Sequence, residues 1–130
     1  MSPSSNLSGF VSWLPDGRLK NYLVALRRNS NKRNFFRIKF DPFRNIWKIT
    51  YDSCEFTFSK DPYHRFKEDV AILRKMPAWS PEVIIDANPG QGITGILLAR
   101  NNPDAMVYMF EPDADEYQVM MENMFHNNLP

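Results

Sequence analysis

The sequence predicts an α/β fold in which a β-α-β-α unit of a parallel sheet follows a small α+β segment containing a β-hairpin. Two observations support this. The apolar run 83–85 leads through a glycine-containing loop, 88–92, into an apolar helix, and a second strand-like run then ends at Glu111. Two alternating runs near residues 46–58 precede them. Strand, glycine loop, helix, strand and acid form the first half of a nucleotide-binding α/β unit.

Composition and charge narrow the class of protein. The 130 residues are 43% hydrophobic and 14% aromatic, which is enough for a packed core and excludes a disordered chain. Residues 1–44 carry 9 Lys+Arg and 2 Asp+Glu, whereas residues 45–130 carry 7 and 13. The basic part can bind phosphates, a nucleic acid such as RNA, or a membrane surface, and the alternative is a solvated basic helix and loop.

The cellular context is predicted from what the sequence lacks. Cys54 has no second cysteine with which to form a disulfide. The N-terminus does not resemble a secretory signal, and no apolar run is long enough to span a membrane. The sequence therefore predicts an intracellular, cytoplasmic protein without a membrane span.

The first 80 residues are predicted as a flexible tail over residues 1–9 and an α+β extension over residues 10–80. From Arg18 the apolar residues recur at helical spacing, which predicts an amphipathic helix ending at residues 29–31. The apolar residues of this helix are Leu19, Tyr22, Leu23 and Leu26.

Strands and a second helix complete the extension. Residues 35–40 alternate and end at Asp41-Pro42, which predicts a strand. Residues 46–51 and 54–58 predict a β-hairpin turning at residues 52–53, with Trp47, Ile49 and Tyr51 on its core face. Asp61 as cap and Pro62 as first helical residue predict the next helix. The apolar stripe of that helix is Tyr63, Phe66, Val70 and Leu73.

Residues 81–130 form the predicted second domain, after Pro77 and Pro81. The β-branched run 83–85 predicts a strand buried on both faces, with Asp86 at its carboxyl end, where open α/β sheets bind ligands. Gly90 and Gly92 let the backbone approach a ligand, and the following helix points its N-terminal amides at the same place.

Glu111 follows the second strand, 106–110, and an ionised carboxylate there can accept both hydroxyls of a ribose. Asp113 begins a last helix, whose apolar stripe is Tyr117, Met120, Met121, Met124 and Phe125. His64 and His126 are isolated, so the sequence predicts no metal site, and it assigns no catalytic residue.

This pattern resembles the class I S-adenosylmethionine-dependent methyltransferases, whose first motif is acid-x-Gly-x-Gly-x-Gly and whose second is an acid after strand two. Asp86, Gly90, Gly92 and Glu111 match these motifs, and Asn88 stands where many members have the first glycine. Asn visits the left-handed backbone region more readily than most residues. Within the class, residues 109–113 and the asparagine-bearing helix resemble FkbM-like methyltransferases. The loop 88–93 is also similar to that of the ribosomal-RNA adenine dimethylases.

The resemblance covers residues 82–130 and implies S-adenosyl-L-methionine as cofactor, held by Asp86, Asn88, Gly90, Gly92 and Glu111 in a partial Rossmann-like domain. It implies a small-molecule or sugar acceptor, or RNA bound through the basic residues 18–44. Family members have about seven strands, so we expect the chain to be an N-terminal fragment or truncated product, incomplete for catalysis alone. The competing prediction is a non-catalytic interaction module that self-associates through an exposed sheet edge.

Overall fold

A computed structural model describes residues 17–31 and 34–130. Their fold is mixed α/β, with four helices, a three-stranded antiparallel sheet and a two-stranded parallel sheet. The elements in chain order are α1 (Arg18–Asn29), β1 (Arg37–Asp41), β2 (Ile46–Tyr51), β3 (Cys54–Phe58), α2 (Tyr63–Leu73), β4 (Val83–Ala87), α3 (Ile93–Asn101), β5 (Met106–Phe110) and α4 (Ala114–His126). The α/β class is confirmed, while the tail predicted at 1–9 and the start of the extension at residue 10 lie outside the described residues.

The chain divides into two compact units, one ending at Thr57 and the other running from Phe58 to Pro130. The sequence instead placed a domain boundary at residues 80 and 81. The difference concerns α2, which packs against α3 and so groups with the parallel sheet. Pro77 and Pro81 interrupt the regular secondary structure between α2 and β4, but both elements belong to the same compact unit.

In the first unit α1 packs on β1. The Asn29 side chain donates to the Ile38 carbonyl and accepts from the Ile38 N–H at 2.7 Å. Residues four apart share a helix face, so this contact turns Ala25 toward the strand, where it is buried. The helix is confirmed, but its predicted apolar side is corrected, because Leu19, Tyr22 and Leu26 are exposed.

The antiparallel sheet has the order β1-β2-β3, with Phe40 paired to Trp47 across β1 and β2. The turn between β2 and β3 has φ of 48° at Asp52 and 62° at Ser53, which is typical of a type I′ hairpin. The predicted hairpin is confirmed, with Trp47 and Ile49 buried. Ile46, on its other face, is buried as well.

In the second unit α2 begins at Tyr63, one residue later than predicted, and Asp61 Oδ1 accepts the Tyr63 N–H at 3.1 Å. This bond satisfies one of the backbone donors that a helix start leaves free. The predicted stripe is confirmed at Tyr63, Phe66 and Val70, all of which are buried.

Strands β4 and β5 pair in parallel, from Val83 opposite Met106 to Ala87 opposite Phe110. The expectation that β4 is buried on both faces is wrong, because only Ile84 is buried, while Val83 and Ile85 are exposed. Side chains of a strand alternate between its two faces, and α3 packs against β5 in this small sheet. One face is therefore covered and the other is apolar and exposed.

Helix α4 begins as predicted, with Asp113 Oδ1 accepting the N–H groups of Asp115 at 3.0 Å and Glu116 at 2.9 Å. Its predicted apolar stripe is corrected: Met120 is buried, but Tyr117, Met121 and Phe125 are exposed. The buried face is Val119, Met120 and Asn123. Hydrogen bonds of Asn123 to neighbouring segments fix this rotation of the helix.

Among the helices of residues 17–31 and 34–130, none combines the length and the hydrophobicity that crossing a membrane requires. The longest of them, α4, has 13 residues and carries acidic side chains in its first turn. A membrane-spanning helix needs about 20 predominantly apolar residues.

Candidate functional site

The parallel pairing of β4 and β5 brings the predicted site residues to one edge of the sheet. Asp86 lies opposite Met109, and Ala87 lies opposite Phe110, so Glu111 follows directly at the same edge. The Asn88 N–H donates to the Phe110 carbonyl at 2.9 Å. This bond ties the start of the loop to the end of the neighbouring strand.

The loop from Asn88 to Gly92 contains three residues with left-handed backbone conformation: φ is 63° at Asn88, 56° at Gly90 and 76° at Gly92. Only glycine adopts this region without steric cost, and asparagine tolerates it better than most residues. The Gly92 N–H donates to the Pro89 carbonyl at 3.0 Å, which closes the turn before α3. The first turn of α3 therefore presents its backbone N–H groups on the loop side.

Glu111 binds two backbone segments with its two carboxylate oxygens. Oε2 accepts the Gly90 N–H at 2.7 Å, and Oε1 accepts the Asp113 N–H at 2.9 Å. The side chain thus holds the loop against the start of α4. A carboxylate has about four lone-pair positions, so both oxygens keep capacity to accept hydroxyl groups of a ligand.

Asn123 holds the other side of the loop. This fully buried side chain donates from Nδ2 to the Gln91 carbonyl at 2.8 Å and accepts at Oδ1 from the Ser59 N–H at 2.8 Å. The amide therefore satisfies two backbone groups that have left water. Sequence reasoning assigned Asn123 no contact, although a polar residue at helical spacing from Val119 and Met120 was an available signal.

Three side chains from α2 and α3, Arg65, Asp69 and Thr94, form a polar cluster that sequence reasoning also missed. The Thr94 hydroxyl donates to Asp69 Oδ2 at 2.7 Å, and Arg65 donates to Thr94 Oγ1 from Nε at 3.2 Å and from Nη2 at 3.1 Å. Arg65 Nε also lies 3.3 Å from Asp69 Oδ1, four residues along α2. The i,i+4 spacing of opposite charges was the signal in the sequence for this pair.

Burial raises the pKa of Asp69 above its ordinary value, while the Thr94 hydroxyl and Arg65 lower it and the nearby charge of Asp86 raises it further. Only 6% of Asp69 is exposed. A buried carboxylate remains ionised when hydrogen bonds and a cation compensate for lost hydration. Thr94 and Arg65 provide these groups here.

Asp86 turns its carboxyl toward the first turns of α3, and Oδ2 is buried without a hydrogen-bond partner among the described residues. Burial raises the pKa of Asp86 above its ordinary value, and Arg65 and the Gly95 N–H oppose this. Arg65 is therefore the cation that acts on both the Asp69 and the Asp86 carboxyl. Such an acid–acid arrangement is more common at functional sites than elsewhere.

An open cleft of about 260 Å³ lies in front of the loop. Of the five predicted residues, Asn88 and Gly90 line the cleft, together with Arg65, Gln91 and Glu116. Asp86, Gly92 and Glu111 are not part of its lining, and Glu111 contacts the loop through the Gly90 N–H. Among the described residues, no group of three or more His, Cys, Asp or Glu side chains is placed to hold a metal ion.

Comparisons with known proteins were made at the level of families, curated sequences and solved structures. No protein-family model, no curated protein and no solved structure matches this chain.

Proposed function

We propose that residues 58–130 bind S-adenosyl-L-methionine as the cofactor-binding part of a Rossmann-like class I methyltransferase of FkbM-like type. The observation that supports this proposal is the parallel pairing of β4 with β5, which brings Asp86, the loop 88–92 and Glu111 to one sheet edge. Open α/β sheets bind ligands at the carboxyl ends of their strands. The cofactor is therefore expected at that edge.

Each residue has a role in the proposal. Glu111 accepts the ribose hydroxyls with the lone pairs that Gly90 and Asp113 leave free. Asn88, Gly90 and Gly92 shape the loop so that its backbone approaches the cofactor. Asp86, together with Gly90 and Gly92, would hold the methionine and ribose end of the cofactor.

The cofactor supplies a methyl group on a sulfonium sulfur. The residues that bind the cofactor would contribute by positioning that methyl group for transfer to an acceptor oxygen or nitrogen. The resemblance to FkbM-like enzymes favours a small-molecule or sugar acceptor. The described residues assign no acceptor-side base.

Calorimetric titration of the 130-residue chain with S-adenosylmethionine tests the proposal. The wild type should bind, and Glu111→Ala should bind about tenfold more weakly or worse, because a hydrogen bond to a charged group is lost. Glu122→Ala, on the exposed side of α4, is the matched control and should bind like the wild type. A folded wild type that does not bind the cofactor overturns the proposal, and equal binding by Glu111→Ala removes the ribose role.

A second candidate function is a non-catalytic interaction module. It is favoured by the exposed apolar face of the parallel sheet, where Ile85 is 68%, Met106 58% and Phe110 60% exposed. Contiguous apolar patches of this kind mark interaction surfaces. Sedimentation equilibrium should then show self-association that Ile85→Lys abolishes and Asp104→Lys, also at an exposed position, preserves. A monomer at all concentrations excludes self-association through this face.

A further inference from the structure

We propose that the first unit docks on an anionic membrane surface through α1, which lies along the lipid headgroups without crossing the bilayer. The docking surface consists of one side of α1 and the turn between β1 and β2. It is independent of the cofactor site proposed for residues 58–130, so either proposal can fail without the other.

The outer stripe of α1 consists of Leu19, Tyr22 and Leu26, which are three and four residues apart and therefore share one side of the helix. Leu19 is 63%, Leu26 50% and Tyr22 42% exposed. A different side of the helix faces β1, with Ala25 buried and Asn29 bonded to the backbone of that strand. A surface helix usually turns its apolar stripe toward the core, so an exposed stripe indicates an interaction surface.

Basic residues flank the outer stripe on both sides. Helix α1 has four basic residues and no acidic one. Successive residues of a helix are rotated by about 100°, so Arg18 lies on one side of the stripe, while Lys20 and Arg27 lie on the other. Helices that lie in a membrane interface have this arrangement: the apolar side chains enter the acyl boundary, and the cations beside them reach anionic headgroups.

The turn between β1 and β2 adds an aromatic ring near the start of α1. Phe43 is 91% exposed on this turn. Asp41 Oδ1 accepts the N–H groups of Phe43 at 2.9 Å and Arg44 at 3.1 Å, which holds the turn in one conformation. Arg18 Nη1 donates to the Pro42 carbonyl at 3.1 Å and ties the turn to the helix. The backbone of the turn is therefore already ordered before the ring enters a membrane, which lowers the entropy cost of binding.

The chemistry of this surface favours an anionic lipid over RNA and over a second copy of the chain. RNA is bound by cations on its phosphates and by aromatic rings stacked on its bases. Leu19 and Leu26 offer neither, but they gain free energy by leaving water for hydrocarbon. A second copy docked through the same side would bring two basic helices together, and like charges across an interface are unfavourable.

Flotation of the 130-residue chain with lipid vesicles tests the proposal. The vesicles contain phosphatidylcholine alone or phosphatidylcholine and phosphatidylserine in equal parts. The wild type should bind the anionic vesicles about tenfold more strongly than the neutral ones, because several cations lie beside the outer stripe. Leu19→Ser with Leu26→Ser should weaken binding to anionic vesicles about tenfold or more, and Arg27→Gln should weaken it about fivefold.

The matched controls are exposed residues of the second unit. Ile72→Ser removes an apolar side chain that is 60% exposed, and Lys75→Gln removes an exposed cation. Both variants should bind anionic vesicles like the wild type. If Ile72→Ser weakens binding as much as the double leucine variant does, the outer stripe is not the docking surface and the proposal is wrong.

Other results overturn the proposal as well. These are a wild type that binds neither kind of vesicle, and a double leucine variant that binds like the wild type. RNA binding at low salt without vesicle binding assigns the basic residues to RNA. Self-association in sedimentation equilibrium that the double leucine variant abolishes assigns the outer stripe to a second copy. Thermal unfolding checks the fold of each variant. If the double leucine variant does not fold, Phe43→Ser provides the test and should weaken vesicle binding about fivefold or more.

Discussion

At the scale of single residues, Glu111 joins the glycine loop to the last helix through the Gly90 and Asp113 N–H groups. Glu111→Ala leaves both donors without this acceptor, and we expect a loss of about 1–3 kcal/mol in the free energy of unfolding. Urea unfolding measures it. Glu122→Ala removes a carboxylate from an exposed position on α4 and should stay within about 0.5 kcal/mol of the wild type. An unchanged Glu111→Ala midpoint would show that the two hydrogen bonds are not stabilising.

Glu111 holds the loop and is also proposed to bind the ribose, so a Glu111 variant can lose affinity for the cofactor through either contact. Glu111→Gln keeps one carbonyl oxygen, which can accept one of the two backbone N–H groups. A variant that remains as stable as the wild type but binds the cofactor weakly would separate the ribose contact from the support of the loop. Stability and affinity must therefore be measured on the same variants.

Unlike Glu111, Asp86 is expected to lower the free energy of unfolding when its carboxyl is ionised, because the carboxyl is partly buried. Its pKa is raised by burial, so the folded protein holds this proton more tightly than the unfolded chain does. The protonated form is therefore favourable at low pH, and that stabilisation is lost as pH rises from the ordinary value of 3.8 through the higher folded-state pKa. Arg65 and the Gly95 N–H reduce the effect without reversing its direction.

We therefore expect Asp86→Asn to become more stable relative to the wild type as pH rises from 4 to 7. Urea unfolding of both proteins at pH 4 and pH 7 gives the two differences. Asp69 titrates in both proteins, and because the charge of Asp86 raises the pKa of Asp69, the difference between the two curves reports on the coupled pair of carboxyls. If the stability advantage of Asp86→Asn over the wild type becomes smaller from pH 4 to pH 7, the raised pKa of Asp86 is contradicted.

At the scale of elements, the packing of α3 on β5 depends on Gly95. A Cβ atom added there would collide with Met109 Sδ and would lie 2.9 Å from Met109 Cγ and 3.2 Å from Asp86 Oδ2. Either the Met109 side chain or the helix would therefore have to move. Helix propensity alone favours alanine over glycine by about 1 kcal/mol, but overpacking costs about 1–3 kcal/mol.

We expect the overpacking to dominate, so Gly95→Ala should lower the free energy of unfolding by about 1 kcal/mol. The double variant Gly95→Ala with Met109→Ala makes room for the new methyl group. It should lose less stability than the two single changes added together, as measured by urea unfolding. Strict additivity would mean that the two side chains do not compete for the same space.

At the scale of the whole molecule, the charge is unevenly distributed, with an excess of 7 positive charges over residues 1–44. In β1 the side chains of Arg37 and Lys39 are exposed, whereas those of Ile38 and Phe40 are buried. The RNA-directed alternative therefore predicts RNA binding at low salt that weakens steeply as salt rises, because bound counterions are released.

Arg37→Glu with Lys39→Glu should reduce the salt slope by about 0.7 for each lost phosphate contact on single-stranded RNA. Filter binding or fluorescence anisotropy across a salt series gives the slope. Lys67→Glu, an exposed substitution on α2, is the control. If the wild type does not bind RNA at low salt, the RNA-directed alternative is excluded.

The sequence by itself determined the order and type of the elements. The limits of β5 were predicted to the residue, and the hairpin turn was located at Asp52 and Ser53. These features depend on local rules, since periodicity, turn residues and caps act over a few neighbouring positions. The same rules indicated that Asp86 and Glu111 end neighbouring strands, and the parallel register places them at one edge.

Only the tertiary structure decided which faces are buried and which side chains meet. The apolar residues of α1 and α4 were identified, but Asn29 and Asn123 turn those helices so that several of them are exposed. The cluster of Arg65, Asp69 and Thr94 joins two helices that are distant in sequence. A periodic pattern lists the residues that can be buried, whereas long-range hydrogen bonds and packing between elements select among them, and these depend on distances in space that local sequence does not encode.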